Sequence, residues 1–280
     1  MNRVTTAVFP VAGLGTRFLP VTKSVPKELL PVHDRPLIEY AVEEAREAGI
    51  ERFVFVNSRS KQALEDHFRP APALEAELER KGKKEALAKV RNPILGNALR
   101  VVYQDVPLGL GHAVSCARDI VGDQPFAVLL PDDFLDCQRP CLAQMVHAWR
   151  LMGGNMVATV DVGREAISSY GCLDVTHTEG RLLSARGMVE KPKANEAPST
   201  HAVIGRYILQ PSVMRRLKST QPGAGGEIQL TDAIAADISS SGLFGFAFSG
   251  TRYDCGQPAG MAAATSAMAA KTAGSVRLAA

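Results

Sequence analysis

Residues 11–31, "VAGLGTRFLPVTKSVPKELLP", place two glycines, three prolines and the cations Arg17, Lys23 and Lys27 in one short segment with a single acid, Glu28. The segment follows directly on the apolar run "TTAVFP". Gly13 and Gly15 lack side chains, so backbone N–H groups there can approach an anion closely. Arg offers a planar fork for phosphate oxygens and Lys a mobile point charge, and Arg17 and Lys27 are the nearest candidates. A Walker A loop needs G-x-x-x-x-G-K-[ST], which the chain does not contain. A dinucleotide fingerprint needs a third glycine where Phe18 stands, and Pro20 and Pro26 stop a helix from starting at once. A cradle for a triphosphate remains, set against a plain glycine turn with solvated cations.

Three further stretches carry chemistry. In "YQDVPLGLGHA", Gln104 presents a donor and an acceptor, as an imide edge such as that of uracil requires, and Gly109 and Gly111 again bare the backbone. "LLPDDFL" ends an apolar run with Asp132 and Asp133, two acids that repel unless a cation or donors compensate. A hard divalent ion would do so, and capping of a following helix is the alternative. In "VEKP", Glu190 can accept from vicinal hydroxyls and Lys191 can hold a phosphate, though such a pair also suits an ordinary surface.

The elements that must position these groups alternate. "TTAVFPVA", "RFVFVN", "LRVVYQD", "PFAVLLPDD" and "NMVATVDV" read as strands, with helical patterns at "PLIEYAVEEAREAG", "KQALEDHF", "GHAVSCARDIVG" and "CLAQMVHAWRL" between them. The expected fold is α/β: a Rossmann-like, mostly parallel mixed sheet with helices on both faces. Residues 74–91 read as a solvated helical insertion. After residue 165 the strands "GCLDVTH", "RLLSARGMVEKP" and "HAVIGRYIL" form a small β-rich elaboration, followed by helices at "SVMRRLK" and "EIQLTDAIAADIS" and an Ala-rich helix at the end. We expect a single domain over residues 1–280, with 1–165 binding nucleotide, 166–256 binding sugar and 257–280 forming the last helix.

The chain has 280 residues, 46% of them hydrophobic, and a net charge of +3, enough for a sizeable core and too little charge for a nucleic-acid or membrane surface. Cys116, Cys137, Cys141, Cys172 and Cys255 are scattered and odd in number. With no leader-like start and no apolar run of about 18 residues, the expectation is a reduced, cytoplasmic protein.

"GLGTRFLPVTKSVPKELLPV" closely resembles the signature G-x-G-T-R-x-L-P-x-T-K-x-x-P-K-E of the sugar-1-phosphate nucleotidyltransferases, with every fixed position filled. The likeness continues in family order through "YQDVPLGLGHAV", "LLPDD", "SSYGCLDV", "VEKP", "VIGRYIL", "GEIQLTDAI" and "YDCGQP", and favours the uridylyl branch. It implies that Ala12, Gly13, Leu14, Gly15, Thr16, Arg17 and Lys27 hold the nucleotide phosphates, and that Gln104 and Gly109 recognise the base. It further implies Asp132 and Asp254 as ligands of Mg2+, Asp132 also facing the nucleotide. Gly171, Glu190, Lys191 and Gly205 would bind the sugar phosphate, with Arg206 beside them. Arg17, Lys27 and Lys191 become the catalytic cations, the substrates UTP and glucose 1-phosphate, the products UDP-glucose and pyrophosphate, and the assembly a homodimer or homotetramer. Rival expectations are a transferase using another nucleotide or sugar, a dehydrogenase with Asp34 or Glu39 holding ribose, and a non-catalytic sensor of sugar nucleotides.

Overall fold

The computed structural model describes residues 3–278; residues 279 and 280 of the expected last helix lie outside that range. In chain order the strands are β1 (Thr6–Pro10), β2 (Pro31–Val32), β3 (Arg35–Pro36), β4 (Arg52–Asn57), β5 (Leu99–Tyr103), β6 (Phe126–Leu129), β7 (Asp133–Asp136), β8 (Asn155–Asp161), β9 (Gly171–Glu179), β10 (Leu182–Glu190), β11 (His201–Leu209), β12 (Leu243–Ala247) and β13 (Thr251–Asp254). Nine of them form one mixed sheet in the order β5-β4-β1-β6-β11-β8-β12-β10-β9. β5, β4, β1 and β6 run parallel; β4, β1 and β6 are apolar and buried on both faces, as parallel strands are, while β5 at the edge is only partly buried. Ala7 and Phe9 of β1 turn toward the helices Leu37–Glu47 and Cys141–Met152, while Val8 between them joins a second apolar layer with Val114, Val213 and Ile234.

The sheet is mixed but mostly parallel: seven of its nine strands run one way, and β10 and β11 run the other. β11 runs antiparallel between β6 and β8, and β10 runs antiparallel to both β12 and β9. For β9 and β10 the reason is local: only Gly180 and Arg181 separate them, and so short a turn permits antiparallel pairing alone. Gly180 takes φ 58°, the left-handed value such a turn needs. The β-rich elaboration formed by these strands is continuous with the central sheet.

Residues 72–91 fold as two short helices, Pro72–Arg80 and Lys84–Arg91, with no buried residue in either. Arg91 ties them through Glu75 at 2.8 Å and Glu79 at 2.6 Å. β7 and β13 form a separate ribbon that sets Asp254 opposite Asp133. The last helix, Pro258–Leu278, covers this ribbon with Met261 and Ala264, packed with Val32, Leu37 and Phe134. Among the described residues no helix is long and apolar enough to cross a membrane.

Candidate active site

Sheet ligands bind beyond the carboxyl ends of parallel strands, and the cationic loop starts there, where Val11 N donates to Val56 O at 2.9 Å just after β1. Prolines break the loop into single turns, Thr16–Phe18, Val21–Lys23 and Lys27–Leu29. Its two glycines serve different ends. Gly15 has φ 66°, and a Cβ there would sit 3.1 Å from Lys27 Cβ and 3.2 Å from Thr22 Cγ2, so this glycine lets the loop close on Lys27. Thr22 Oγ1 donates to Gly15 O at 2.8 Å and holds that closure. A Cβ on Gly13 would meet nothing within 4 Å, so its backbone faces open space. Gly13, Leu14, Thr16 and Arg17 are exposed, and Ala12 is half-buried.

Lys27 Nζ donates to Asp132 Oδ2 at 2.6 Å across 105 residues of sequence. Burial alone would lower the Lys27 pKa, but Asp132 and then Glu28 outweigh it and hold the ammonium above its ordinary value. Burial likewise opposes ionisation of Asp132, and Lys27 overrides it, leaving that carboxyl below its ordinary value. Asp254 and Arg17 reach the same place. A Cβ on Gly256 would lie 3.0 Å from Asp254 Oδ1, 3.4 Å from Asp132 Oδ2 and 3.7 Å from Arg17 Nη1. The bare Gly256 therefore leaves a gap toward which two carboxylates and a guanidinium converge. Cys255 N donates to Asp132 O at 2.8 Å, which fixes the β13 end against Asp132. Among the described residues no group of three or more His, Cys, Asp or Glu forms a metal cage. Two hard oxygen donors at a gap do fit an ion such as Mg2+, which keeps waters and takes its other ligands from phosphates.

Asp133, adjacent in sequence, does something else. Its Oδ1 accepts from Arg252 Nε at 2.5 Å and its Oδ2 from Gly205 N at 2.7 Å. Burial raises its pKa, with Arg252 resisting. Arg252 also donates to Tyr170 Oη at 3.1 Å and stacks on that ring at 5.0 Å.

Gln104 Nε2 donates to Gly109 O at 3.1 Å and lies 3.0 Å from His112 Nδ1, so His112 has a side-chain partner. Gly109 has φ 103°, and a Cβ there would sit 2.7 Å from Glu227 Cβ and 2.9 Å from Ile228 O. The segment before helix Leu230–Ser241 thus presses on this turn, with Gly111 N donating to Ile228 O and Ile228 N to Leu108 O, both at 2.8 Å.

Beyond this turn lies a cavity of about 170 Å³, with Asp133, Tyr170, Gly171, Glu190, Gly205 and Thr231 in its wall. A Cβ on Gly171 would come 3.0 Å from Thr231 Cγ2 and 3.4 Å from Glu190 Oε2. Lys191 is 56% exposed in its side chain, and its Nζ is 3.6 Å from Glu190 Oε1. Its φ of 44° is left-handed, a strain usual for functional positions and fixed here by Lys191 N donating to Tyr170 O at 3.0 Å. Arg206 is not beside this cavity's sugar-facing groups as expected. It is 1% exposed and its guanidinium is fully engaged, with Glu44 at 2.8–3.0 Å and the carbonyls of Leu130, Gly205 and Asp133. It braces β11 against helix Leu37–Glu47, because alternate strand residues face opposite sides of the sheet.

The expected residues therefore fall into three groups: Arg17, Lys27, Asp132 and Asp254; Gln104 and Gly109; and Gly171, Glu190 and Gly205, with Lys191 adjoining. Sequence reading missed Tyr170, Arg252 and the buried Lys61 and Glu28. Tyr170 and Glu28 lie inside quoted motifs, while Arg252 and Lys61 left no pattern to find. Asp34 and Glu39, the carboxylates a dehydrogenase would need, are engaged elsewhere, by Lys89 at 3.1 Å, and by Arg35 at 3.1 Å and His67 at 2.7 Å.

A parallel-stranded sheet with a cationic glycine loop, paired carboxylates and a polar cavity beyond its strand ends defines a class that moves phosphorylated groups. The model of the nucleotidyl transferase family matches residues 7–271, and the chain belongs to that family. It is 47% identical over 251 residues to a UTP–glucose-1-phosphate uridylyltransferase of Komagataeibacter xylinus, a match covering 89% of this chain and 88% of that protein. Its fold is similar to that of a UDP-glucose pyrophosphorylase complexed with UDP-glucose, with a TM-score of 0.88 and 40% identity over 96% of this chain and 100% of the other. It is also similar to a UTP-bound UGPase from Acinetobacter baumannii, with a TM-score of 0.87 and 39% identity over 94% and 92% of the two chains.

Proposed function

We propose that this chain is a uridylyltransferase that joins UTP to glucose 1-phosphate and releases UDP-glucose and pyrophosphate. The convergence of Lys27, Asp132, Asp254 and Arg17 on one gap carries the reading. An oxygen of the sugar phosphate attacks the α-phosphorus in line with the departing pyrophosphate. The attacking oxygen is already ionised, so no general base is required. The barrier is repulsion between two polyanions, and catalysis consists of alignment and charge neutralisation.

Residues 12–17 hold the β- and γ-phosphates, Gly13 by open backbone and Arg17 by its fork. Lys27 lies at the α-phosphate, where Asp132 keeps it protonated. Asp132 and Asp254 would hold Mg2+, which when bound neutralises phosphate charge as a Lewis acid. Gln104 and the Gly109 backbone face the uracil edge. Gly171, Glu190 and Gly205 enclose the hexose, Glu190 accepting from its hydroxyls, and Lys191 holds the nucleophile's phosphate. Residues 1–165 supply the nucleotide side and 166–256 most of the sugar side of a single domain. A sister transferase shares the loop and the acids, so substrate choice is the point to test. Pyrophosphate release measured over four nucleoside triphosphates and several sugar phosphates should be highest for UTP with glucose 1-phosphate. Equal or faster release with another pair would replace the assignment.

A further inference from the structure

Lys61 belongs to no motif singled out in the sequence, yet the residue is 7% exposed and its ammonium makes three hydrogen bonds. Its Nζ donates to Glu28 Oε2 at 2.9 Å, to Glu28 Oε1 at 3.1 Å and to Val11 O at 2.8 Å. Those are all the donors an ammonium has. Val11 is the last residue before the phosphate loop, and Glu28 follows Lys27 directly. One buried group therefore clasps both ends of the loop.

The clasp is anchored from behind. Asn57, fully buried at the end of β4, donates to Lys61 O at 3.2 Å and to Glu65 Oε1 at 3.1 Å. Tyr103 Oη, at the end of β5, donates to the same Glu65 oxygen at 3.0 Å. The loop is thus referenced through Lys61 to the ends of two sheet strands. Stability alone gives little reason for such a pair, because well-packed apolar residues usually serve a buried site as well or better. Glu28, 1% exposed, also lies within the field of Lys27. Without Lys61, that carboxylate has Lys27 as its remaining neighbouring cation and would draw it away from Asp132.

We propose that Lys61 is a positioning residue for the nucleotide site: through Val11 O and Glu28 it holds the loop closed and keeps Lys27 directed at Asp132 and the α-phosphate. This rests on the function proposed above. The test compares wild type, K61M and the neutral pair K61M/E28Q, in which no buried charge is left unpaired. Wild type is first assayed with UTP and glucose 1-phosphate, and its inactivity would sink the functional reading rather than this one. UTP affinity is then measured calorimetrically without sugar, and KM and kcat in the full reaction.

The neutral pair should fold with a Tm close to wild type, bind UTP about tenfold more weakly and lose about 10- to 100-fold in kcat, the scale of a small misplacement of reacting groups. KM for glucose 1-phosphate should stay within about twofold, a split that general loosening of the fold would not produce. K61M, with Glu28 left unpaired, should be the poorer of the two. Wild-type UTP affinity and kcat in the folded neutral pair would overturn the proposal. Failure of the neutral pair to fold would overturn it too, since Lys61 would then serve the fold and not the loop.

Discussion

Between Val11 and Pro31 the phosphate loop draws its groups from one stretch of chain, whereas the cavity at Gly205 collects residues from β9, β10, β11 and the segment 229–231. The loop is open: Leu14 is 69% exposed and nothing stands within 4 Å of a Cβ built on Gly13. The cavity wall is closed: a Cβ on Gly205 would lie 2.6 Å from Leu130 Cβ and 2.7 Å from Asp133 Oδ2. An open, locally coded loop can receive a large flexible polyanion. A tight wall assembled from distant strands can select a rigid ring by shape. In the loop the conformation is held by Gly15, Thr22, Lys61 and the backbone bonds of its three turns, while Gly13, Leu14, Thr16 and Arg17 stay exposed to ligand.

If the loop's cations serve the reaction more than the fold, their removal should separate rate from stability most widely. Arg17 is exposed and, among the described residues, its side chain makes one hydrogen bond, to Gly256 O at 3.5 Å. Arg17→Ala and Lys27→Ala should each lower kcat by about 10²- to 10³-fold, the scale for one lost transition-state donor. Arg17→Ala should leave Tm unchanged, as for other exposed positions. Wild-type turnover in either variant would remove that residue from the mechanism.

The same substitution made once in each region sharpens the contrast. Gly205→Ala must displace Leu130 or the Asp133 carboxylate, and overpacking of this kind costs about 1–3 kcal/mol. It should lower Tm and raise KM for glucose 1-phosphate, with KM for UTP little changed. Gly13→Ala has room and should hold stability within about 0.5 kcal/mol, yet its methyl stands where phosphate must approach, so KM for UTP should rise. Equal losses of Tm in the two variants would erase the distinction between open loop and closed wall.

The same division governs what could be read without coordinates. The loop's chemistry is contiguous, so Gly13, Gly15, Arg17 and Lys27 are legible from residue types and spacing. So were the parallel strands, each an apolar run bounded by turn residues. Asp254 came only by likeness to a family, because its approach to Asp132 depends on the pairing of β7 with β13 over more than a hundred residues. A mixed sheet is the sequence expectation, but which strands reverse is not legible, for a related reason. Periodicity identifies β11 as a strand but carries no information on which neighbours it joins or in which direction. Arg206 shows the limit most plainly. It follows Gly205 in sequence, but the alternation of a strand turns it to the opposite face, onto Glu44.

Asp132 and Asp133 bring the comparison down to adjacent residues, and pH separates them. Lys27 keeps the Asp132 carboxyl below its ordinary 3.8, so the stabilisation it contributes is present above that value and lost as pH falls through the folded pKa. Lys27 itself lies above its ordinary 10.5, so its share is complete below that value and fades only as pH rises past the folded pKa. Both windows exclude neutral pH. The Tm difference between wild type and Lys27→Ala should therefore stay flat from about pH 5 to about pH 9. Asp133 has the opposite sign: burial raises its pKa, so its contribution is full below 3.8 and declines as pH rises through the raised folded value. Measured against Asp133→Asn, which does not titrate there, wild-type stability should slope downward with pH in the acid range and level off above it. A slope in the Lys27→Ala difference at neutral pH would mean that Asp132 and Lys27 are not held as one charge pair, and the nucleotide side would lose its most ordered contact.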